Sequence, residues 1–212
     1  MYFTDRPAAG RLLADRLAHY AKDSCAVLSL SPGGILVGAQ IAMRLHCHLM
    51  LLQSEKIILP GEHDAIAALT TTSFGYADDL SESEIDYING EFHGVIDQQR
   101  LTKQHVLNRL VTAETKITPN DLRDKIVVAV SDGFIDTLAL DVLEDFIRPI
   151  RIKRLILAVP ITNVKALDKM HLMADELAIL DVREDIISID HHYDKNIVPD
   201  HEGLVKIIRN TA

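Results

Sequence analysis

Four consecutive apolar residues, Val127, Val128, Ala129 and Val130, end abruptly at Ser131, Asp132 and Gly133, and a helical spacing of Leu138, Val142, Leu143 and Phe146 follows. A strand that is apolar on both faces must be covered on both, which is the condition of a parallel strand between helices and not of a half-exposed antiparallel one. The same grammar recurs. Residues 26–30 form an apolar run broken only by Ser29; Ser31, Pro32, Gly33 and Gly34 form a Gly-rich loop, and residues 37–45 resume helical spacing before another apolar run at 49–52. Residues 155–159, bounded by Pro160, predict a further strand with its crossover helix at 163–173; residues 178–182 and 186–189 are shorter strand candidates. Repeated strand, loop and helix units predict a doubly wound, mostly parallel α/β sheet whose ligands sit outside the carboxyl ends of the strands. The loops at 31–34 and 131–137 then lie on the ligand side.

The ends of the chain read as helices docked on that sheet. Pro7 suits a first helical turn capped by Thr4 or Asp5, and Ala9, Leu12, Leu13, Leu17 and Tyr20 share one face. Leu204, Val205, Ile207 and Ile208 mark an amphipathic closing helix at about 200–210. Between the halves, residues 78–97 hold seven acidic residues and no Lys or Arg, with Ile85, Ile88, Phe92, Val95 and Gln99 on one side of a helix. That pattern predicts a solvated helix with one packed face, the other reading being an acidic surface for a partner. Gly90 and Gly94 lower helix propensity and predict a break or a close approach there.

With 212 residues, 48% of them hydrophobic, the chain has enough material for one large core carrying a small lobe. A formal charge of -9, from 31 acidic and 22 basic residues, repels phosphodiester backbones and anionic bilayers, so no nucleic-acid or membrane partner is expected. Cys25 and Cys47 lie in apolar stretches and read as buried reduced thiols. The first residues lack a basic region followed by an apolar signal core, and no apolar stretch has membrane-spanning length, so a soluble, cytoplasmic protein is expected.

Several landmarks in order resemble type I phosphoribosyltransferases, especially a bacterial group beginning Phe-x-Asp-Arg-x-x-Ala-Gly, which here is Phe3, Thr4, Asp5, Arg6, Pro7, Ala8, Ala9, Gly10. The family's Pro-Arg-Gly-Gly-Val resembles residues 31–35, its Lys after the next strand resembles Lys56, and its Ala-Val-Pro-Val resembles residues 158–161. Its terminal Tyr before a helix resembles Tyr193. The loop that holds ribose hydroxyls and 5-phosphate, Gly-Ile-Ala-Thr-Gly-Ala-Thr in the family, resembles residues 133–139. The resemblance implies one phosphoribosyltransferase-like domain over 1–212, with its core at about 23–52 and 122–190 and a variable hood at about 53–121. It implies substrate-binding roles for Ser31, Gly33, Gly34, Lys56, Ser131, Asp132, Gly133, Thr137 and Tyr193, and places Asp132 and Asp136 at the catalytic position. It implies no resident metal or other cofactor; Mg²⁺ would accompany the substrate of an active transferase.

The departures concern chemistry. A phosphate cradle needs small residues, free N–H groups and hydroxyls, yet Asp136 stands at the first Thr, Thr137 at Gly, Leu138 at Ala and Ala139 at the second Thr. Ser131 replaces the first of two acidic residues that hold the ribose diol, and Pro32 replaces an Arg, removing both a clamp and a backbone donor. Two readings of Asp136 stand: an acidic pair with Asp132, or a cap that uses the helix N–H groups a phosphate would otherwise take. The expected protein is a phosphoribosyltransferase-like one with a degenerate site, binding a small phosphorylated metabolite or a protein partner. The alternatives are an active magnesium-dependent transferase joining ribose 5-phosphate to a nitrogenous base, and an unrelated small-molecule hydrolase or metal-dependent enzyme using Asp132, Asp136 and the cluster Asp190, His191, His192 and Asp194. His46 and His48 read as packing or capping residues, the cluster Arg148, Arg151, Lys153 and Arg154 as a solvated connection, and the assembly as a homodimer.

Overall fold

The chain runs through β1 (Phe3–Asp5), α1 (Arg6–Leu17), β2 (Cys25–Ser29), α2 (Pro32–Leu45), β3 (His48–Leu51), β4 (Glu55–Ile58), β5 (Ala65–Leu69), β6 (Phe74–Tyr76), α3 (Glu82–Leu110) and α4 (Pro119–Leu122), then β7 (Ile126–Val130), α5 (Leu138–Ile147), β8 (Arg154–Asn163), α6 (Val164–Met173), β9 (Glu176–Arg183), β10 (Tyr193–Lys195) and α7 (His201–Thr211). The computed structural model describes residues 2–62, 64–110 and 117–211. The apolar runs form a five-stranded parallel sheet in the order β3-β2-β7-β8-β9. β2 and β7 are buried at every residue because both faces are covered. Val27, Val128 and Ile156 point to α1, α2 and α7, while Ala26, Leu28, Val127 and Leu157 point to the α5 and α6 side.

α1 starts where the sequence places it, with Pro7 in the first turn and the Asp5 carboxylate accepting the Ala8 N–H at 2.7 Å. α2 starts earlier than the apolar spacing suggests. Ser31 caps it by accepting the Gly34 N–H at 2.9 Å, so Gly33 and Gly34 sit in its first turn and not in a loop. His46 ends α2 in the left-handed conformation, with φ 55°.

A second layer lies over α5. β4, β5 and β6 form an antiparallel sheet whose one face packs Ile57, Ala67 and Leu69 against Ile88, Ile96 and Leu107 of α3. Its other side sets Ala68 against Leu138 of α5. Lys169 of α6 pins the layer through Asp78 at 2.5 Å and also pairs with Asp141, and Lys165 holds Asp79 at 2.6 Å.

Three expectations are corrected. α3 passes unbroken through Gly90 and Gly94, because both face outward with open space around them and cost only propensity, about 1 kcal/mol each, against the packed opposite face. Residues 186–189 form no strand; the segment enters a 3₁₀ turn at Ile189–His192, and Asp190 is drawn to Arg6 instead of to a sheet edge. Pro160 does not bound its strand: β8 continues to Asn163, and Pro160 lies past Ala158, the last β8 residue in register with β7. No helix among the described residues is long and apolar enough to cross a membrane.

Candidate functional site

β2 and β7 are neighbours in the sheet, yet their chains leave it on opposite faces, into α2 and α5. Where connections diverge in this way the carboxyl ends of the strands open a crevice, the usual ligand position of such sheets. Ser31, Ser131 and Asp132 stand at its floor. The Ser31 hydroxyl donates to Asp132 Oδ1 at 2.6 Å, and the Ser31 and Ser131 oxygens are 3.3 Å apart. Gly33 is required by this contact: a Cβ there would fall 2.0 Å from Asp132 Oδ2. Ser131 Oγ donates to the Gly133 carbonyl at 2.9 Å and so spans its own loop.

Arg6 completes the floor and is the residue that sequence reasoning left out. Its side chain is 3% exposed; Nε donates to Asp132 Oδ2 at 2.7 Å, one terminal nitrogen to Asp190 Oδ1 at 2.5 Å and the other to the Asn196 carbonyl at 3.2 Å. Burial alone would lower its pKa, but the facing Asp132 and Asp190 outweigh that and raise it. Its guanidinium carbon lies 4.6 Å from the centre of the Tyr193 ring, and the Tyr193 hydroxyl donates to the Asp132 carbonyl at 2.6 Å. Burial pushes the Tyr193 phenol pKa up, which keeps it a donor. The signal for Arg6 was the Phe-x-Asp-Arg segment itself, which pairs as β1 with β10 and so brings both ends of the chain to the site.

The two candidate carboxylates serve different ends. Asp132 is buried and held by Arg6 and Ser31. Asp136 lies higher on the loop, where Oδ1 accepts the Leu138 N–H at 3.1 Å and Oδ2 takes the Lys56 ammonium at 2.5 Å. Lys56 comes from β4, so the second layer supplies the cation. Thr137 makes no side-chain cap; its carbonyl accepts the Leu140 and Asp141 N–H groups at 2.8 and 3.0 Å. Between Asp132 and Asp136 lies a cavity of about 220 Å³ walled by Pro32, Lys56, Phe134, Ile135, Leu138 and Ile189. The structure therefore brings Ser31, Lys56, Ser131, Asp132, Gly133 and Asp136 to one crevice, with Gly33, Gly34 and Tyr193 behind its floor against Asp132 and Ser31, whereas Thr137 lines the other side of the loop beside Asp78 and Lys169.

The donor set does not fit Mg²⁺. Such an ion needs several unengaged oxygens at near-octahedral positions, whereas both Asp132 oxygens already accept from Arg6 and Ser31, and position 131 offers only a hydroxyl. Among the described residues no group of three or more His, Cys, Asp or Glu could hold a metal, so the segment 190–194 does not gather into a centre. The basic cluster is also spoken for: Arg148 pairs with Asp145, Arg151 with Asp124, Lys153 with Asp23 and Arg154 with Glu176.

No protein-family model matches the chain. By structure it is similar to the protein TT1426 from Thermus thermophilus, with 23% identity, 100% of each chain covered and a TM-score of 0.76. It is also matched to a purine phosphoribosyltransferase from Pyrococcus horikoshii, at 12% identity over 83% of this chain and 81% of that one, with a TM-score of 0.44. A hypothetical protein from Neisseria gonorrhoeae with bound ppGpp matches at 12% identity over 97% and 95% of the two chains, also with a TM-score of 0.44. Neither of these two distant likenesses carries weight for the chemistry. The end-to-end likeness to the Thermus structure shows a shared fold, which the strand order defines as a mostly parallel, doubly wound α/β sheet.

Proposed function

We propose that this chain is a phosphoribosyltransferase-like binding protein that does not carry out the transfer, and that it holds a small metabolite in the crevice between residues 31–33 and 131–138. The observation that carries the reading is Asp136, whose carboxylate takes the Leu138 N–H and the Lys56 cation that a substrate phosphate would need. Around the crevice two cations, Arg6 and Lys56, meet three carboxylates, Asp132, Asp136 and Asp190. That balance disfavours a ligand bearing a monophosphate and a pyrophosphate together. A metabolite with one phosphate has to displace Asp136; its sugar hydroxyls would meet Ser31 and Ser131, and its apolar face Phe134 and Ile189. In this reading residues 53–121 act as the hood, contributing Lys56.

Calorimetric titration with phosphoribosyl pyrophosphate, with and without Mg²⁺, followed by a pyrophosphate-release assay across purine and pyrimidine bases, tests the proposal. The expected result is weak binding indifferent to Mg²⁺ and no release. Tight magnesium-dependent binding with turnover would establish an active transferase and sink it.

A further inference from the structure

A second cavity, of about 270 Å³, adjoins the crevice and shares Leu30, Ser31, Pro32 and Ser54 with it. β2 and β3 end side by side there. The Leu52 N–H donates to the Ser29 carbonyl at 2.8 Å, so the pairing of the two strands holds the chain up to the residue before Gln53. Among the described residues, Leu30 and Pro32 after β2, Leu51 and Leu52 at the end of β3, Leu107 of α3 and Leu204 of α7 wall the cavity. The five leucines are all buried, so the walls are largely apolar.

Two of the polar groups that line this cavity are already engaged. The Ser31 hydroxyl donates to Asp132 and accepts the Gly34 N–H, and the Glu55 carboxylate accepts from the Lys103 ammonium at 3.4 Å. Gln53 differs from both. Its side chain lines the cavity from the connection between β3 and β4, and its Oε1 is buried with no hydrogen-bond partner among the described residues. A buried amide oxygen without a donor is unfavourable, and such a group calls for an explanation. An acceptor left open in an otherwise apolar cavity has the form of a ligand contact, in which the walls supply affinity and a few polar groups fix orientation.

We propose that this cavity binds a small, neutral nitrogen heterocycle whose ring N–H donates to Gln53 Oε1. Size, charge and polarity select that class. An apolar protein cavity of about 150 Å³ holds benzene, so the larger volume here has room for two fused rings. Glu55 is matched by Lys103, so a cation finds no unpaired carboxylate in the lining and an anion meets Glu55 itself. Apolar walls would leave the several ring nitrogens of a purine unpaired, which favours a ring with a single N–H. A rigid ring also loses less freedom on binding than a flexible chain of the same size. The site goes beyond the reading of the crevice, since it uses neither Asp136 nor a phosphate.

Indole and benzofuran share one shape and differ in the N–H, so calorimetric titration of the wild-type chain with each reads the contact. Indole binds with a dissociation constant below about 1 mM, and benzofuran binds at least tenfold more weakly. Gln53→Met keeps the length of the side chain and removes the acceptor. It weakens indole at least tenfold, narrows the difference between the two probes, and melts no lower than wild type, because no contact within the protein is lost. A wild-type chain that binds no indole, equal affinity for indole and benzofuran, or a Gln53→Met chain that melts lower with its indole affinity unchanged would each overturn the proposal.

Discussion

Replacing Asp136 by Asn removes one charge from the anion position and leaves an amide oxygen to accept the Leu138 N–H, so it isolates the electrostatic part of the occlusion. The lost ion pair with Lys56 costs little stability: the two side chains are 46% and 42% exposed, and such pairs contribute about 0–1 kcal/mol. A phosphate seated on the Leu138 N–H would lie within about 4 Å of the wild-type carboxylate. Each unit-charge pair at that distance costs about 1 kcal/mol in water and about 4 kcal/mol at an effective dielectric near 20. The exposure of both side chains puts the site near the lower figure, and a dianion doubles it to about 2 kcal/mol. Lys56, released from Asp136, adds attraction. Calorimetry with ribose 5-phosphate should therefore show Asp136→Asn binding at least tenfold more tightly than wild type, about 1.4 kcal/mol. Transferase activity stays absent, because Thr137, Leu138 and Ala139 still replace the cradle's small and hydroxyl-bearing residues. Grafting Thr-Gly-Ala-Thr over residues 136–139 should bind the ligand more tightly again and melt lower. It truncates Leu138, 4% exposed against Ala68 and Ala77, at a cost of about 2–5 kcal/mol. An affinity unchanged by Asp136→Asn, or a wild-type chain that already binds as tightly with phosphate on this loop, would refute the reasoning.

Arg6→Met should destabilise the chain by about 3–5 kcal/mol in urea titration by leaving Asp132 buried without its cation; Arg6→Lys should not rescue it, since one ammonium cannot reproduce the guanidinium's fork. Gly33→Ala, ordinarily a gain inside a helix, should instead cost about 1–3 kcal/mol in a thermal melt, because the new Cβ displaces the Asp132 carboxylate. Lys169 is desolvated, yet its contacts with Asp141 and Asp78 raise its pKa above the ordinary 10.5. Its stabilisation is thus complete below 10.5 and is lost as pH rises through the higher folded value, so hydrogen exchange in β5 and β6 should accelerate there before exchange in the parallel sheet does. Burial pushes the Cys47 thiol up to about 12 and raises Cys25 as well, so iodoacetamide near pH 8 should label both at least about tenfold more slowly in the native chain than in the unfolded one.

Legibility in the sequence followed the range of the interaction involved. The central strands could be read because a strand covered on both faces must be apolar at every position, and residues 127–130 are. The packed side of α3 could be read because Ile85, Ile88, Phe92, Val95 and Gln99 repeat at helical spacing, and Gln99 indeed binds Ile58 through both its amide groups. The loop residues of the crevice were reachable as well, since Ser31, Gly33, Ser131, Asp132 and Asp136 follow strands whose ends define the ligand side. What the crevice does with those residues was not in the local pattern. Lys56 and Asp136 meet across 80 residues, and Arg6 meets Asp132 across 126 and Asp190 across 184. β1 and β10 are three residues each, too short to show any periodicity, so nothing local marks them as paired. A lone arginine near a chain end reads as solvated by default, because burying its charge is unfavourable until partners are supplied. Only the tertiary structure, by laying β1 beside β10, supplies two carboxylates and an aromatic ring to Arg6 and turns an ordinary surface residue into the buried floor of the site.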